Sequence, residues 1–305
     1  DQGLLFTHIA RHPVLADYLA LDVGALPVTM RPTQNQAQIL SLQLIPFGES
    51  DRLLLSRDVT AIERAETIRR DFVANVSHEL RTPLTVLSGF LELNEEGPPR
   101  DPAVARRQSQ LMREQADRMA RLVEDLLTLS RLESDSVIAP DIRVDVPVVL
   151  QQLANDAESL SAGRHRFRWV VEDDLAIAGN ERELRSAFSN LISNAIRYTP
   201  DGGEISVTWR RAGGQAEFAV ADSGIGIGPE HIPRLTERFY RVDTGRSRET
   251  GGTGLGLAIV KHILVRHQAR LHIESEPGRG SMFRVTFPAR RLRSVESIER
   301  HAASS

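Results

Sequence analysis

The sequence predicts a multidomain chain. A short, incomplete α/β piece comes first, then a long helical hairpin that pairs with a second copy into a four-helix bundle, then an α/β sandwich. Three observations predict this. The 305 residues exceed what a single hydrophobic core usually serves. Two amphipathic stretches of about 30 residues each follow one another across a Gly97-Pro98-Pro99 break, and a hairpin alone cannot bury both apolar stripes. From about Pro147 onward, strands and helices are interspersed with hairpin signals, a pattern that suits a sandwich and not a doubly wound parallel sheet.

Composition narrows the functional classes. Hydrophobic residues make up 41% and charged residues 26%, the profile of an ordinary globular protein. A net charge of −3 argues against direct nucleic-acid binding, which usually needs a strongly basic surface. With no cysteine, disulfides, thiol catalysis and Cys-based zinc sites are excluded. No apolar run reaches the roughly 18 residues that span a bilayer, and no basic-then-apolar leader is present. The chain begins at Asp1, as an excised or processed piece would. Of its 38 basic residues only Lys261 is lysine, a drift toward arginine to which no function is assigned.

In chain order, residues 1–57 hold one helix-like stretch, Leu4–Leu21 with Ile9, Pro13 and Leu19, followed by strand-like Gln38–Ile45 and Arg52–Ser56. This is too little for an independent domain and reads as the trailing half of one. Asp58 or Thr60 is available to cap the next helix, which opens with a linker over 58–72 and runs to about Glu95. Asp101-Pro102 opens a second helix over about 103–133, carrying Val104, Leu111, Met119, Leu122, Leu126, Leu129 and Leu132. The hairpin domain is bounded at 73–134, and pairing two hairpins makes a homodimer the economical expectation. After a linker over 134–146, the sandwich spans 147–290. Its helices are expected at 148–161, 181–197 and 255–267, and its strands near 166–172, 175–178, 204–211, 215–221, 270–275 and 281–287. Residues 291–305 read as a flexible tail.

Within the first long helix, residues 77–83 read Ser-His-Glu-Leu-Arg-Thr-Pro. The apolar stripe is Phe72, Val76, Leu80, Leu84, Leu87 and Leu91. At about 100° per residue, His78 lies about 200° from both Val76 and Leu80, so its imidazole faces solvent. A lone exposed histidine is ordinarily plain surface. Here Glu79 stands beside it, Thr82 follows one turn later on the same side, and Pro83 ends the regular hydrogen bonding.

Three later segments converge on a nucleotide. Asn190 and Asn194, in Asn-Leu-Ile-Ser-Asn-Ala-Ile-Arg-Tyr, share one helix face. Taken alone they are polar surface, but an amide oxygen can also hold Mg²⁺ while phosphates and water complete the octahedron. Asp222-Ser-Gly224-Ile-Gly226-Ile-Gly228 follows a strand. It is either a simple turn or a close backbone approach to a flat ligand, with one carboxylate able to accept from an adenine amino group. Gly252-Thr253-Gly254-Leu255-Gly256-Leu257 opens a helix, whose exposed N–H groups and positive dipole end suit phosphate. The polar stretch Asp243–Gly251, after Arg238-Phe239-Tyr240-Arg241, reads as a lid. No G-x-x-x-x-G-K-[ST] occurs, neither glycine cluster fits G-x-G-x-x-G, and the H-R-D and D-F-G words are missing.

Together these residues resemble a sensor histidine kinase of a two-component system, over about residues 58–288. Phe72–Leu91 is similar to the phosphoacceptor box, Asn190–Tyr198 to the N box and Asp222–Gly228 to the first glycine box. Glu237–Arg241 is similar to the phenylalanine box and Gly252–Leu257 to the second glycine box. Asp58-Val59-Thr60 before a helix looks like the exit of a PAS sensor domain. Arg69–Leu91, Pro229–Val242 and Gly251–His262 resemble the phosphate-regulon branch of the family. In the N box that family usually has Lys where Arg197 stands; Arg keeps the charge and offers a planar fork.

The resemblance implies a dimeric four-helix-bundle phosphoacceptor domain and an ATP-binding sandwich of the GHKL type, with a partial PAS-like remnant in front. It implies His78 as nucleophile, Glu79 accepting the other ring N–H, and Thr82 positioning water for dephosphorylation of a response regulator. Asn190 would hold Mg²⁺, Asn194 would contact phosphate or metal, and Asp222 would read adenine. Arg197 and Arg241 would lie near the phosphates, with Tyr198, Gly224, Gly226, Gly252, Gly254, Leu255 and Gly256 completing the ATP site. Implied partners are a receiver-domain aspartate, a second copy of the chain and phosphate-transport signalling proteins. The implied location is the cytoplasmic portion of a bacterial inner-membrane protein, and signals would act by shifting or rotating the helix 61–76. A sensor kinase for another signal, a GHKL ATPase that clamps rather than phosphorylates, and a non-catalytic dimeric scaffold are the competing readings.

Overall fold

The computed structural model describes residues 13–19, 26–33, 35–48, 51–95, 97, 99, 101–134, 138–242 and 252–293. The chain divides into two compact units, residues 1–78 and 79–305.

In the first unit, α1 (Pro13–Leu19) precedes a three-stranded antiparallel sheet of β1 (Val28–Met30), β2 (Leu40–Phe47) and β3 (Asp51–Asp58). The alternation of β2 turns Leu40, Leu42 and Leu44 to one side, where they pack with Leu15, Tyr18 and Met30. Of the helix expected over Leu4–Leu21, the described part is Pro13–Leu19, and Ile9 lies outside the described residues. β1 was not expected, because three residues between two prolines are too few to display a period. The sheet hands over to α2 (Thr60–Glu95) through side-chain bonds. Asp58 accepts from the Thr60 N–H at 2.9 Å, and Thr60 Oγ1 accepts from the Ile39 N–H at 2.8 Å.

The second unit begins in α2, which stays helical through Pro83 to Glu95. Pro83 therefore does not end the helix; lacking an N–H, it removes a single bond to the carbonyl one turn back. Asp101 caps α3 (Pro102–Ser134) by accepting from the Ala103 N–H at 2.8 Å, with proline at the first helical position.

The sandwich follows as β4 (Arg143–Val144), α4 (Val146–Ser161), β5 (Arg166–Val171), β6 (Ala176–Ala178) and α5 (Glu181–Tyr198). Next come β7 (Glu204–Ala212), β8 (Gln215–Asp222), α6 (Gly256–Arg266), β9 (Arg270–Glu276), β10 (Gly280–Phe287) and β11 (Leu292–Arg293). The main sheet has the order β5-β7-β8-β10-β9; only β5 and β7 run parallel. Trp209, Phe218 and Phe287 project from the sheet onto Phe188 of α5, with the Phe188 and Phe218 rings stacked at 4.1 Å. Burying such aromatics supplies much of the cohesion of a core this size.

Two boundaries differ from expectation. The linker holds β4, which pairs with β6. Leu292 and Arg293, expected to lie in a flexible tail, instead close the smaller sheet β11-β6-β4. The Arg291 guanidinium is buried and donates to the carbonyl of Ala139 at 3.0 Å. Short strands and a buried arginine carry almost no pattern in sequence, which is why this corner was missed.

Candidate active site

Helix α5 starts from an Asn180 cap, whose Oδ1 accepts from the Arg182 N–H at 3.0 Å and the Glu183 N–H at 3.3 Å. Its buried face is Leu184, Ala187, Phe188, Leu191, Ile192 and Ala195. That orientation turns Asn190, Asn194 and Arg197 the other way. Asn190 Nδ2 donates to the Ser186 carbonyl at 2.9 Å, which fixes the amide and directs Oδ1 at Gly256. A side chain on Gly256 would strike that oxygen. The N box and the first turn of α6 are thus in direct contact. Arg197 Nη1 donates to Asn194 Oδ1 at 3.4 Å and lies against Gly252, where a Cβ would sit 3.0 Å from it. Burial pulls the Arg197 pKa below the ordinary arginine value.

Asp222 ends β8. Burial pushes its carboxyl pKa above the ordinary value, opposed by the N–H groups of Gly224 and Ser281. The Gly224 N–H donates to Asp222 Oδ1 at 2.9 Å. The following loop is tied down on both sides, with the Ile225 N–H on the Tyr198 carbonyl at 3.2 Å and the Ile227 N–H on Ser275 Oγ at 2.8 Å. Gly226 holds φ +67° against the Glu276 carbonyl, a place only glycine fits. Gly254 likewise holds φ +73° and accepts from the Phe239 N–H at 2.9 Å, which joins the phenylalanine box to the second glycine box.

Two predicted residues have surroundings the sequence did not show. The Leu255 side chain is fully buried in the core, and its N–H donates to Thr253 Oγ1 at 3.2 Å. Arg241 faces Glu79, which favours its charge, while burial pulls its pKa down. Its Nε and Nη2 are buried without a hydrogen-bond partner among the described residues. The lid expected at Asp243–Gly251 lies outside the described residues. His78 and Thr82 are both exposed on α2.

The structure adds charges that sequence reasoning passed over. Arg118 of α3 donates to Glu79 Oε2 at 2.7 Å. Thr253 Oγ1 donates to Asp125 Oδ2 at 2.7 Å, and Arg238 pairs with Glu133 at 2.5 Å. Around them Leu122, Leu129 and Leu132 are buried. The last turns of α3 are therefore packed against the module that carries the glycine boxes. Burial raises the Asp125 pKa despite the Thr253 bond. Acidic residues on a long helix read as its wet face, and only their spacing beside these leucines marks them.

The arrangement offers a partly buried carboxylate, a neutral amide oxygen, two arginines and a helix N-terminus around one region. Such a set fits a polyphosphate joined to an amino-bearing ring. No group of three His, Cys, Asp or Glu side chains that could hold a metal occurs among the described residues. A single asparagine oxygen suits a hard cation such as Mg²⁺ that takes most of its ligands from phosphate and water. A cleft of about 490 Å³ lined by Ile232, Thr236, Lys261, Leu264 and Ile273 contains none of these residues. It is not the nucleotide site.

Residues 68–135 match the His Kinase A (phospho-acceptor) domain, and residues 179–291 match the histidine kinase-, DNA gyrase B-, and HSP90-like ATPase. The phosphate regulon sensor protein PhoR of Pseudomonas aeruginosa is 45% identical over 298 residues, covering 97% of this chain and 67% of that protein. PhoR of Haemophilus influenzae is 39% identical over 259 residues, covering 85% of this chain and 60% of that protein. The chain thus spans about two thirds or less of the length of these curated relatives. The crystal structure of histidine kinase ThkA in complex with response regulator protein TrrA shares the fold, with a TM-score of 0.57 at 19% identity. It covers 86% of this chain and 79% of that one.

Proposed function

We infer function from one premise: this chain belongs to the sensor histidine kinases of two-component systems. It is a protein-histidine kinase, and we propose that it phosphorylates His78 from ATP and passes the phosphoryl group to a response-regulator aspartate in phosphate-limitation signalling. The observation that carries this reading is the contact of Asn190 Oδ1 with Gly256 at the head of α6, in a module that also holds Asp222 and Arg197, both partly buried.

Each residue then has a chemical task. Asp222 accepts from the adenine amino group. The N–H groups of the first α6 turn, with Arg197 and Arg241, hold the phosphates. Asn190 would hold Mg²⁺, with Asn194 beside it; when bound, the ion neutralises charge that builds on the transferring phosphoryl. The unprotonated ring nitrogen of His78 attacks the γ-phosphorus. An N–P bond forms, the P–O bond to the β-phosphate breaks, and ADP leaves with the electron pair. The proton on the other ring nitrogen becomes acidic, and Glu79 accepts it or its hydrogen bond. Thr82, one turn along α2, orients a water in the reverse task of dephosphorylating the regulator.

Several wider assignments belong to the same proposal. The sheet of β1, β2 and β3 is the trailing part of a PAS-like sensor, residues 58–72 a signalling helix, 73–134 the phosphotransfer hairpin and 147–290 the catalytic core. A second copy completes the bundle. The parent protein sits at the bacterial inner membrane, with phosphate-transport signalling proteins upstream; no helix among the described residues is long and apolar enough to cross a membrane. A receiver domain is the expected partner, as in the ThkA–TrrA pair. The test is incubation with γ-labelled ATP and Mg²⁺ beside a His78→Gln control. Acid-labile, alkali-stable label on the wild type alone is expected. Equal label on His78→Gln would sink the assignment, and tight ATP binding without label would point to an ATPase of the same fold.

A further inference from the structure

Glu79 is the carboxylate assigned above to the phosphoacceptor, and two arginines from different parts of the unit compete for it. Arg118 reaches it across the hairpin at 2.7 Å, with side-chain exposures of 11% and 23% for Arg118 and Glu79. Arg241, from the phenylalanine box, is the second; Glu79 is the strongest influence that favours its charge. The match with Arg118 follows from hairpin geometry. Glu79 stands 16 residues before the end of α2, and Arg118 stands 16 residues after the start of α3. At about 1.5 Å per residue both are about 24 Å from the connecting loop, at equal heights on antiparallel neighbours.

A largely desolvated ion pair of this kind is a poor device for stability alone, because removing both charges from water costs about as much as their attraction returns. It does fix position. The bond engages Oε2, which leaves Oε1 for the N–H of an imidazole. A carboxylate held from α3 also stays on the hairpin and is not captured by Arg241. The Nε and Nη2 groups of Arg241, without hydrogen-bond partners among the described residues, then remain for an incoming anion such as a phosphate oxygen.

We propose that Arg118 is a positioning residue for phosphoryl transfer: it holds Glu79 on the hairpin so that Oε1 serves the histidine and Arg241 serves the phosphates. This rests on the kinase reading above. Displacing a reacting group by about 1 Å costs on the order of 100-fold in rate. Arg118→Gln is therefore expected to lower the autophosphorylation rate at saturating ATP by about 10- to 100-fold, with ATP affinity little changed. Arg118→Lys keeps the charge without the planar fork and recovers part of the loss.

The decisive measurement is a double-mutant cycle on the whole chain, read as acid-labile label against time at saturating ATP. In a Glu79→Gln background Arg118→Gln should cost almost nothing more. A cost as large in that background as in the wild type overturns the proposal, as does an Arg118→Gln rate equal to wild type. Arg118→Lys no faster than Arg118→Gln also counts against it. Should Arg118→Gln fail to fold by circular dichroism, the same cycle with Arg118→Lys decides. A wild-type chain that takes no label refutes the kinase reading instead, so the two failures are distinct.

Discussion

Asp222 carries a conflict between folding and binding within one side chain. Burial disfavours its anion and raises its pKa, so in the free protein the carboxylate costs stability that two backbone N–H groups only partly return. The sign follows from linkage. Because the folded pKa is raised above the unfolded one, the stabilising contribution is complete below the unfolded value near 3.8 and fades as pH rises through the folded value. Once ionised, the charge is therefore a burden, and on the role proposed for Asp222 the return is that an anionic acceptor binds an amino group better than a neutral one. Asp222→Asn should leave the melting temperature equal or higher. It should also weaken ATP binding by about 1.5–3 kcal/mol, the usual worth of a charged hydrogen bond. Calorimetric titration with ATP, paired with thermal melts, checks both. A variant that loses stability and keeps affinity would assign Asp222 to the core and not to the ligand. At this scale the sequence was informative wherever a motif word occurred. Asn190, Asn194, Arg197, Asp222 and the glycines all lie in the module the words pointed to. The Leu255 side chain is packed in the core, because its position in the word is set by helix packing.

Among the elements, the strongly periodic ones were legible almost to the residue. α5 was expected at 181–197 and spans 181–198; β7 and β8 were expected at 204–211 and 215–221 and span 204–212 and 215–222. Each has a cap, a glycine turn or an alternating face that writes its ends into the chain. β1, β4 and β11 were not legible, since strands of two or three residues exist only through their partners. The same reason hid the seat of the glycine-box module on α3. Asp125 holds Thr253, beside Arg197 that would otherwise face phosphate. On the proposed nucleotide site this bond competes with ATP for one loop, so Asp125→Ala should tighten ATP binding. A bond of this class, partly exposed to water, is worth about 1 kcal/mol, or about fivefold in affinity. Affinity that is unchanged or weaker in Asp125→Ala would show that the contact does not oppose the nucleotide.

For the molecule as a whole, the unspent apolar surface of the hairpin decides the assembly. On α3, Leu122 and Leu129 are buried while Val123 and Leu127 remain exposed. At about 100° per residue, Val123 and Leu127 lie about 100–140° around the helix from Leu122. α3 therefore has two apolar faces, one already covered within the chain. On α2, Leu84 and Leu91 stand seven residues apart on one face and are 56% and 54% exposed. A lone leucine of this kind is ordinary, but two on one face of α2 offer an apolar seam that a second copy would cover. Covering the exposed half of each leucine returns about 1 kcal/mol, and a symmetric pair of hairpins covers Leu84 and Leu91 twice over, about 4 kcal/mol in all. Glutamate at both positions would forfeit this and place like charges opposite one another. The double variant Leu84→Glu, Leu91→Glu should therefore raise the dimer dissociation constant by at least about 1,000-fold. Sedimentation velocity over a concentration series reads this directly, with the wild type as a dimer and the variant as a monomer of 33.9 kDa. ATP binding should survive in that monomer, because the nucleotide residues belong to a single chain. A variant that still sediments as a dimer would move the interface off this seam, and with it the four-helix bundle proposed to present His78.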